Sequence, residues 1–248
     1  MTAIRAVLFD LGKTLVDYGA DAEWELLDPV SRSIWDSLLS RGYDLPPFPR
    51  FKRKIAWAMA WGRVLAKLRR RETNAERLAV KVARQMNPTI SDEDLREAAR
   101  AGFAGQMVRS ATAPGAVEAL RFCREAGYAM GLVSNTVLPG WILGEDLERR
   151  GLAAYFDFMV FSSEHGRPKP SMSIFAEAVS RTAVKPGETV FVGDNLRADI
   201  RGAKGAGMRT VWVCADEGDH RRGAPFCDAV VESLAQVPET LRAMEAAQ

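Results

Sequence analysis

Six short segments of the chain are almost continuously apolar, and each has the length of a single β-strand. They are IRAVLFD (4–10), YAMGLVSN (128–135), FDFMVFS (156–162), TVFVGD (189–194), RTVWVC (209–214) and DAVVES (228–233). Strands that are apolar on both faces belong in a parallel sheet that helices cover on both sides. The segments between the later runs carry apolar residues at helical spacing, as in PGAVEALRFCREAG (114–127). Because strands and helices alternate, we predict an α/β fold with a doubly wound parallel sheet, whose ligand lies at the carboxyl ends of the strands.

The segment from residue 18 to residue 108 has a different character. It is rich in tryptophan and charge, has few strand signals and contains several helical stretches. A connection of this length inside a compact domain is more typical of a small helical domain than of a loop. We therefore predict a core domain formed by residues 1–17 and 109–248, with a helical domain inserted at 18–108.

Composition limits the kind of protein that this chain can be. A chain of 248 residues with 47% apolar side chains can form a sizeable core, and a net charge of +2 favours neither a nucleic-acid nor a membrane partner. The longest apolar helical stretch, residues 55–68, is too short to span a bilayer and is interrupted by Arg63 and Lys67. Without a long apolar segment near the N-terminus, we expect a cytoplasmic protein.

The three cysteines lack the spacing of a metal site. They are Cys123, Cys214 and Cys227, and we expect reduced thiols.

Polar side chains stand at the ends of the predicted strands or in the loops that follow them. They are Asp10, Ser134, Asn135, Lys169, Asp194 and Asp199. Each has an ordinary alternative role alone, since Asp and Asn often form turns or cap helices. Together they would converge at one edge of a parallel sheet. Carboxylates beside a hydroxyl, an amide and an ammonium group can hold a hard cation and, through it, an anion such as phosphate.

Four of these strand-end segments also form an ordered set of motifs. They are FDLGKT (9–14), LVSN (132–135), the RPKP (167–170) that contains Lys169, and GDNLRAD (193–199). In this order they resemble the motifs of the haloacid dehalogenase (HAD) superfamily, whose members are mostly Mg2+-dependent phosphohydrolases. The resemblance covers nearly all of the chain outside the insertion. It implies a Rossmann-like core and a helical C1 cap that closes over the active site and selects substrates.

The resemblance also implies roles for individual residues. Asp10 would attack phosphorus to form an aspartyl phosphate, and Lys169 would stabilise the negative charge that accumulates there. The Mg2+ ligands would come from the side chains of Asp10 and Asp194 and the main-chain carbonyl of Gly12, with Asp199 nearby.

Three further residues would contact the phosphorylated substrate. They are Thr14, Ser134 and Asn135.

Gly12 departs from the family pattern, because phosphatases of this family have a second Asp there that acts as general acid and base. Such proton transfer raises the rate by about 10²- to 10⁴-fold, which is about 3 to 5 kcal/mol of the barrier. Enzymes lower the barrier by about 8 to 23 kcal/mol in total, so most of the catalysis can come from other groups. We therefore expect a measurable phosphatase that favours good leaving groups.

Three residues could take over the proton transfer, and a fourth, Lys13, is unsuited to it. Lys13 is next to Gly12, but adjacent side chains in an extended segment point apart, and Lys13 stays protonated and is unfit as a base. His165 is a better titrating group. Asp21 or Glu23 could enter the site from the insertion.

A strongly basic run lies within the insertion. Between Arg50 and Arg84 there are twelve Lys or Arg residues and two acids, interleaved with apolar side chains such as Trp57 and Trp61. One interpretation is a solvated face whose apolar side packs within the insertion, which makes the aromatic residues part of its core. The others are attraction of an anionic substrate, or binding to nucleic acid, an acidic protein or a membrane surface.

The sequence thus predicts an Mg2+-dependent phosphatase that acts on a small phosphorylated metabolite. One alternative is a haloacid dehalogenase or phosphonatase, which also lack an acid two residues after the nucleophile, although the GDNLRAD carboxylates favour a cation and a phosphate. The other is a protein that binds a phosphorylated ligand or a partner without turnover. We expect no membrane or nucleic-acid partner, and a dimer through the Trp-rich insertion is compatible with the sequence.

Overall fold

The core of the molecule is a six-stranded parallel sheet. The computed structural model describes residues 3–19, 23–69, 71–216 and 224–247. The strands are β1 (Ala6–Phe9), β2 (Val16–Asp17), β3 (Ala111–Thr112), β4 (Ala129–Ser134), β5 (Phe158–Phe161), β6 (Thr189–Gly193), β7 (Arg209–Val213) and β8 (Ala229–Val231). The sheet order is β5-β4-β1-β6-β7-β8, and every neighbouring pair is parallel. All six apolar runs are strands of this sheet, which confirms the predicted α/β fold.

The strand order places the functional edge of the sheet. Chain order runs outward from β1 through β4 to β5, and then resumes at β6 on the other side of β1. In an open α/β sheet, ligands bind outside the carboxyl ends of the strands at such a reversal. Asp10 follows β1 and Asp194 follows β6, so both lie at this reversal.

The described residues form ten α-helices, and helices that follow β3 cover both faces of the sheet. The ten helices are α1 (Glu23–Ser40), α2 (Phe48–Arg69), α3 (Ala75–Met86), α4 (Asp92–Arg109), α5 (Ala116–Glu125), α6 (Gly140–Arg149), α7 (Ser162–His165), α8 (Met172–Thr182), α9 (Arg201–Gly205) and α10 (Val237–Ala246). A π-helical turn over Leu196–Ile200 precedes α9.

Both faces of the sheet are buried, which explains why the strands are apolar at successive positions. In β1, Val7 and Phe9 belong to one core cluster and Leu8 belongs to another. Because successive strand side chains point to opposite faces, the two clusters lie on opposite sides of the sheet.

Helices α1 to α4 are inserted between β2 and β3, which pair antiparallel with Val16 opposite Thr112. This two-stranded ladder is too short to leave a pattern in the sequence. The inserted helices share a small core of their own, which contains Leu38, Ile90 and Ala98.

The sequence of α2 has apolar residues on two faces, and one of them is exposed. Trp57 is 61% exposed, Trp61 is 57% exposed and Leu68 is 75% exposed, whereas Phe51 is buried. The interpretation that this basic run packs its apolar side within the insertion is therefore wrong for Trp57 and Trp61. No helix in the described part of the chain combines the length and the hydropathy that a membrane span requires.

Candidate active site

Asp10 lies at the centre of the site because β1 ends directly before it. Its backbone N–H continues the sheet by donating to the carbonyl of Val192, at 2.9 Å. The chain then turns sharply: the N–H groups of Leu15 and Val16 both donate to the carbonyl of Leu11, at 2.9 and 3.0 Å. This turn holds the Asp10 carboxylate at the edge of the sheet, almost fully buried.

Lys169 is the cation that faces Asp10. Its ammonium lies 2.5 Å from Oδ1 of Asp10 and 2.7 Å from Oδ1 of Asp199, and it donates to the carbonyl of Val133 at 2.8 Å. Burial opposes the charged form, but the carboxylates of Asp10 and Asp199 outweigh it and raise the pKa of Lys169 above its ordinary value. The ammonium therefore stays charged in a site that is almost closed to solvent.

Asp194 and Asp199 complete an acidic cluster with Asp10. One oxygen from each of the three carboxylates lies within 4.8 Å of the others. Burial and the neighbouring charge of Asp10 raise the pKa of Asp194 to about 6 and that of Asp199 to about 7. Three carboxylates are thus held together close to the ammonium group of Lys169.

The donor set of this cluster fits a hard divalent cation. Mg2+ prefers oxygen ligands and is usually held by one or two carboxylates. Burial and the charge of Asp10 disfavour the ionised forms of Asp194 and Asp199. A cation here would favour these ionised forms.

Thr14 lies behind the carboxylates and lines neither of the two cavities described below. Its hydroxyl is 3.1 Å from Oδ2 of Asp10 and 3.2 Å from Oδ1 of Asp194, and it accepts the backbone N–H of Asp194 at 3.1 Å. This hydroxyl therefore links the ends of β1 and β6.

Ser134 is the last residue of β4 and Asn135 follows it, on the other side of Asp10. The Asn135 side chain accepts the backbone N–H of Lys169 at 2.7 Å and donates to its carbonyl at 3.0 Å. Both ends of this amide thus fix the loop that carries Lys169. Ser134 is buried and lines the larger of the two cavities.

A polar cavity of about 300 Å³ opens onto the cluster. Its lining includes Asp10, Gly12, Asn135, Lys169, Asp194 and Asp199.

A larger apolar cavity of about 860 Å³ lies between the inserted helices and the core. Its lining includes Val30, Ile34, Ile55, Met59, Phe103 and Leu143. The two cavities share the lining residues Gly12, Tyr18 and Asn135.

Gly12 leaves open space where the family pattern has a carboxylate. A Cβ atom built on Gly12 would meet no atom within 4 Å. The missing side chain is thus not replaced by a neighbouring group at that point.

The candidate substitutes for the missing acid and base occupy different places. Lys13 lies in the turn with φ of +64° and lines the polar cavity, so the expectation of an extended segment there is wrong. His165 lines neither cavity, and its ring nitrogens contact Glu177 at 2.6 Å and Ser173 at 3.0 Å. Asp21 is outside the described residues, and Glu23 is the first residue of α1.

Among its described residues, the basic run of the insertion supplies no cation to the lining of either cavity. Among the described residues between 50 and 84, those that line the apolar cavity are apolar or acidic. The two cations in its lining, Arg96 and Arg100, come from α4.

Sequence reasoning missed two side chains near the site. Trp212 donates its indole N–H to the carbonyl of Asp194 at 2.7 Å, and Tyr18 donates its hydroxyl to Asp146 at 3.2 Å. Trp212 lies near the end of a predicted strand, so the strand-end argument could have found it. Tyr18 stands next to the unpredicted ladder of β2 and β3, so no sequence signal pointed to it.

Comparison with known proteins agrees with this geometry. The sequence model of one hydrolase family, described as haloacid dehalogenase-like hydrolase, matches residues 4–207. A glyceraldehyde 3-phosphate phosphatase from Methanopyrus kandleri is 44% identical over 101 residues, which are 40% of this chain and 42% of that protein. A phosphoserine phosphatase from Thermus thermophilus is 38% identical over 121 residues, which are 49% of this chain and 47% of that protein. The matched segments thus span less than half the length of these two relatives.

Two solved structures share the fold over nearly the whole chain. A HAD phosphatase from Thermococcus onnurineus has a TM-score of 0.60 at 23% identity and covers 96% of this chain and 98% of that one. A 2-haloacid dehalogenase from Pseudomonas syringae pv. Tomato has a TM-score of 0.66 at 22% identity and covers 97% and 99%. At these identities the likeness establishes the fold and leaves the reaction open.

Proposed function

Because the chain belongs to the haloacid dehalogenase-like hydrolase family, we propose that it is an Mg2+-dependent phosphatase in which Asp10 is the nucleophile. The observation that carries this proposal is the buried cluster of Asp10, Lys169, Asp194 and Asp199 at the reversal of strand order. Curated relatives named as phosphatases support it.

The reaction would proceed in two displacements at phosphorus. A carboxylate oxygen of Asp10 forms a bond to phosphorus while the ester P–O bond breaks, and the leaving oxygen takes a proton from water. Water then attacks the phosphorus of the aspartyl phosphate, which restores the Asp10 carboxylate and releases phosphate. Lys169 holds a positive charge beside the reacting oxygens throughout, which is the main contribution a protein makes to phosphoryl transfer.

We propose that Mg2+ is held by the carboxylates of Asp10 and Asp194 and by the main-chain carbonyl of Gly12. Bound there, the cation would reduce the repulsion between these carboxylates and the phosphate. Asp199 accompanies them in the cluster and also holds Lys169, at 2.7 Å.

We further propose roles for the three residues expected to bind substrate. Ser134 lines a cavity and would contact the substrate, whereas Asn135 would act mainly by holding the backbone of Lys169. The hydroxyl of Thr14 already contacts Asp10 and Asp194, so it would set the position of these two carboxylates.

The segment 18–108 would act as a separate helical domain over the core formed by 1–17 and 109–248. Two features support this proposal. The four inserted helices have a core of their own, and they form one side of the apolar cavity next to the site.

The test is release of inorganic phosphate from a panel of monoesters that ranges from nitrophenyl to alkyl phosphates. We expect release that requires both Mg2+ and Asp10, with the nitrophenyl esters fastest because Gly12 cannot protonate the leaving group. Asp10→Asn should abolish it, and the matched variant Asp36→Asn, on the exposed side of α1, should not.

Two results would contradict the proposal. Halide release from 2-haloacids without any metal would indicate carbon-centred chemistry. Metal-dependent ligand binding with no release from any ester would indicate a binding protein without turnover.

A further inference from the structure

The apolar cavity is larger than a small polar metabolite requires. Its volume of about 860 Å³ is in the range of pockets that enclose a complete small-molecule ligand. It adjoins the polar cavity that is lined by Asp10 and Lys169, because Gly12, Tyr18 and Asn135 line both cavities. A ligand whose phosphate contacts the acidic cluster can therefore extend into the apolar cavity without leaving the protein.

The apolar side chains of this cavity come from both parts of the chain. Ile55 and Met59 on α2 and Phe103 on α4 line one side, and Leu143 on α6 lines the other. Ile55 and Met59 are half-buried, and neither belongs to a packed core cluster among the described residues. Their apolar surface faces the cavity and gains most from an apolar ligand.

Most of the charged groups that line this cavity already have partners in the protein. Arg100 pairs with Glu97 and Glu145, and Glu76 accepts the indole N–H of Trp141 at 2.9 Å. A hydroxyl-rich or charged substrate body would therefore find few free partners in the cavity, and burying its polar groups without hydrogen bonds is unfavourable.

Gly12 is placed at the junction of the two cavities. Open space lies beside it, because a Cβ atom placed on Gly12 would have no neighbouring atom within 4 Å. The ester oxygen that joins a phosphate to its organic group would have to pass this junction.

We propose that the substrate is a phosphate monoester of an apolar alcohol, whose hydrocarbon group occupies the apolar cavity. This inference rests on the proposed phosphatase function and deepens it. A phenolic alcohol satisfies both features of the site, because it is apolar and also leaves readily without help from an acid at Gly12.

The test uses para-alkylphenyl phosphates whose alkyl chain grows from methyl to hexyl, below their aggregation concentrations. The acidity of the leaving phenol stays nearly constant along the series, so chain length reports burial alone. We expect kcat/KM to rise by up to about fourfold for each methylene until the cavity is full. The same series of para-alkylphenylphosphonates, measured by calorimetry, should show a parallel fall in Kd without any turnover.

Variants on two faces of one helix locate the effect. Met59→Glu should flatten the dependence on chain length, whereas Val64→Glu, on the exposed face of α2, should leave it unchanged. Ala79→Phe, which adds volume to the cavity wall, should shorten the chain length at which the rise stops. Ala79→Phe keeps the test informative if Met59→Glu does not fold.

The outcomes separate this inference from the function on which it rests. Metal-dependent hydrolysis with no gain from added methylenes would overturn the apolar substrate and leave the phosphatase intact. Phosphonate affinity that rises with chain length, without hydrolysis of any ester, would support the apolar site and overturn the phosphatase. If no ester is hydrolysed and chain length has no effect on binding, both the apolar substrate and the phosphatase function are overturned.

Discussion

The ammonium of Lys169 lies 2.5 Å from Oδ1 of Asp10, and both groups are almost fully buried. This pair joins the end of β1 to the loop after α7, two parts of the chain that are far apart in sequence. Asp10 is thereby held next to a fixed positive charge where it would attack phosphorus. The same contact balances part of the negative charge that Asp194 and Asp199 add to the cluster.

Replacing the ammonium with an apolar side chain should affect both activity and stability. For Lys169→Met we expect kcat to fall by about 10²- to 10³-fold, since a fixed charge at the reacting oxygens is lost. Removing one partner of a buried ion pair also destabilises a protein by about 3 to 5 kcal/mol. Steady-state kinetics and denaturant unfolding check the two effects, with Lys54→Met on the exposed surface of α2 as the control. A variant within tenfold of wild-type kcat would contradict the role of Lys169.

Restoring a carboxylate at Gly12 should increase activity. The backbone of Gly12 does not have a positive φ, and a Cβ there meets no neighbour, so Gly12→Asp should fold. We expect kcat to rise by about tenfold or more for alkyl phosphates and less for nitrophenyl phosphate, which needs little protonation. Gly12→Asn has the same shape without the titrating group and should show no gain. Equal effects of the two variants would show that proton transfer is not what this position lacks.

The cluster of Asp10, Lys169, Asp194 and Asp199 could be predicted because its members follow a simple rule. Asp10 and Asp194 each come directly after an apolar strand, and parallel strands bring such positions to one edge. The structure brings them within reach of each other, together with Lys169 and Asp199. The sheet was equally predictable, because burial on both faces leaves a continuous apolar run.

Other features depend on packing that has no local sequence signal. The α2 sequence is apolar on two faces, so its periodicity does not reveal that Trp57 faces solvent while Met59 faces the cavity. The amide of Asn135 was expected to bind substrate, but tertiary contacts direct both of its ends to the backbone of Lys169. The positive φ of Lys13 arises in a turn whose hydrogen bonds close around it.

Mg2+ should stabilise the folded protein, since three carboxylates are crowded together in the cluster. At a concentration of 100 times Kd, the free energy of unfolding should rise by about 2.7 kcal/mol. Thermal unfolding with and without Mg2+ measures this, and Asp194→Asn should remove most of the shift. An Mg2+ shift in Asp194→Asn equal to that of the wild type would place the cation elsewhere.

Glu72 provides a pH-dependent contact between the insertion and the core. Its carboxylate accepts the hydroxyl of Ser162 at 3.0 Å and the N–H of Thr73 at 3.0 Å. Burial raises the pKa of Glu72 above its ordinary value, and these hydrogen bonds offset only part of the rise.

The pKa of Glu72 is thus higher in the folded protein than in the unfolded chain. Its contribution to the free energy of unfolding is fully present below the unfolded-state pKa and is lost as pH rises through the folded-state pKa. We therefore expect Glu72→Gln to be more stable than the wild type at pH 7.5, with the difference disappearing near pH 4. Denaturant unfolding at both values checks this. A Gln variant that is less stable at pH 7.5 would show that the charged form is favoured by the fold.

Two glycines with the same backbone conformation should differ in their tolerance of a side chain. Gly115 and Gly127 have φ of +79° and +78°, where any L-residue is strained by about 1 to 2 kcal/mol. A Cβ on Gly115 would also lie 2.8 Å from the Cα of Ala235, whereas a Cβ on Gly127 meets nothing within 4 Å. Gly115→Ala should therefore lower the free energy of unfolding clearly more than Gly127→Ala, as measured by chemical denaturation. Equal losses in the two variants would show that the backbone at Ala235 moves aside without cost and that the close approach of Gly115 to it does not stabilise the fold.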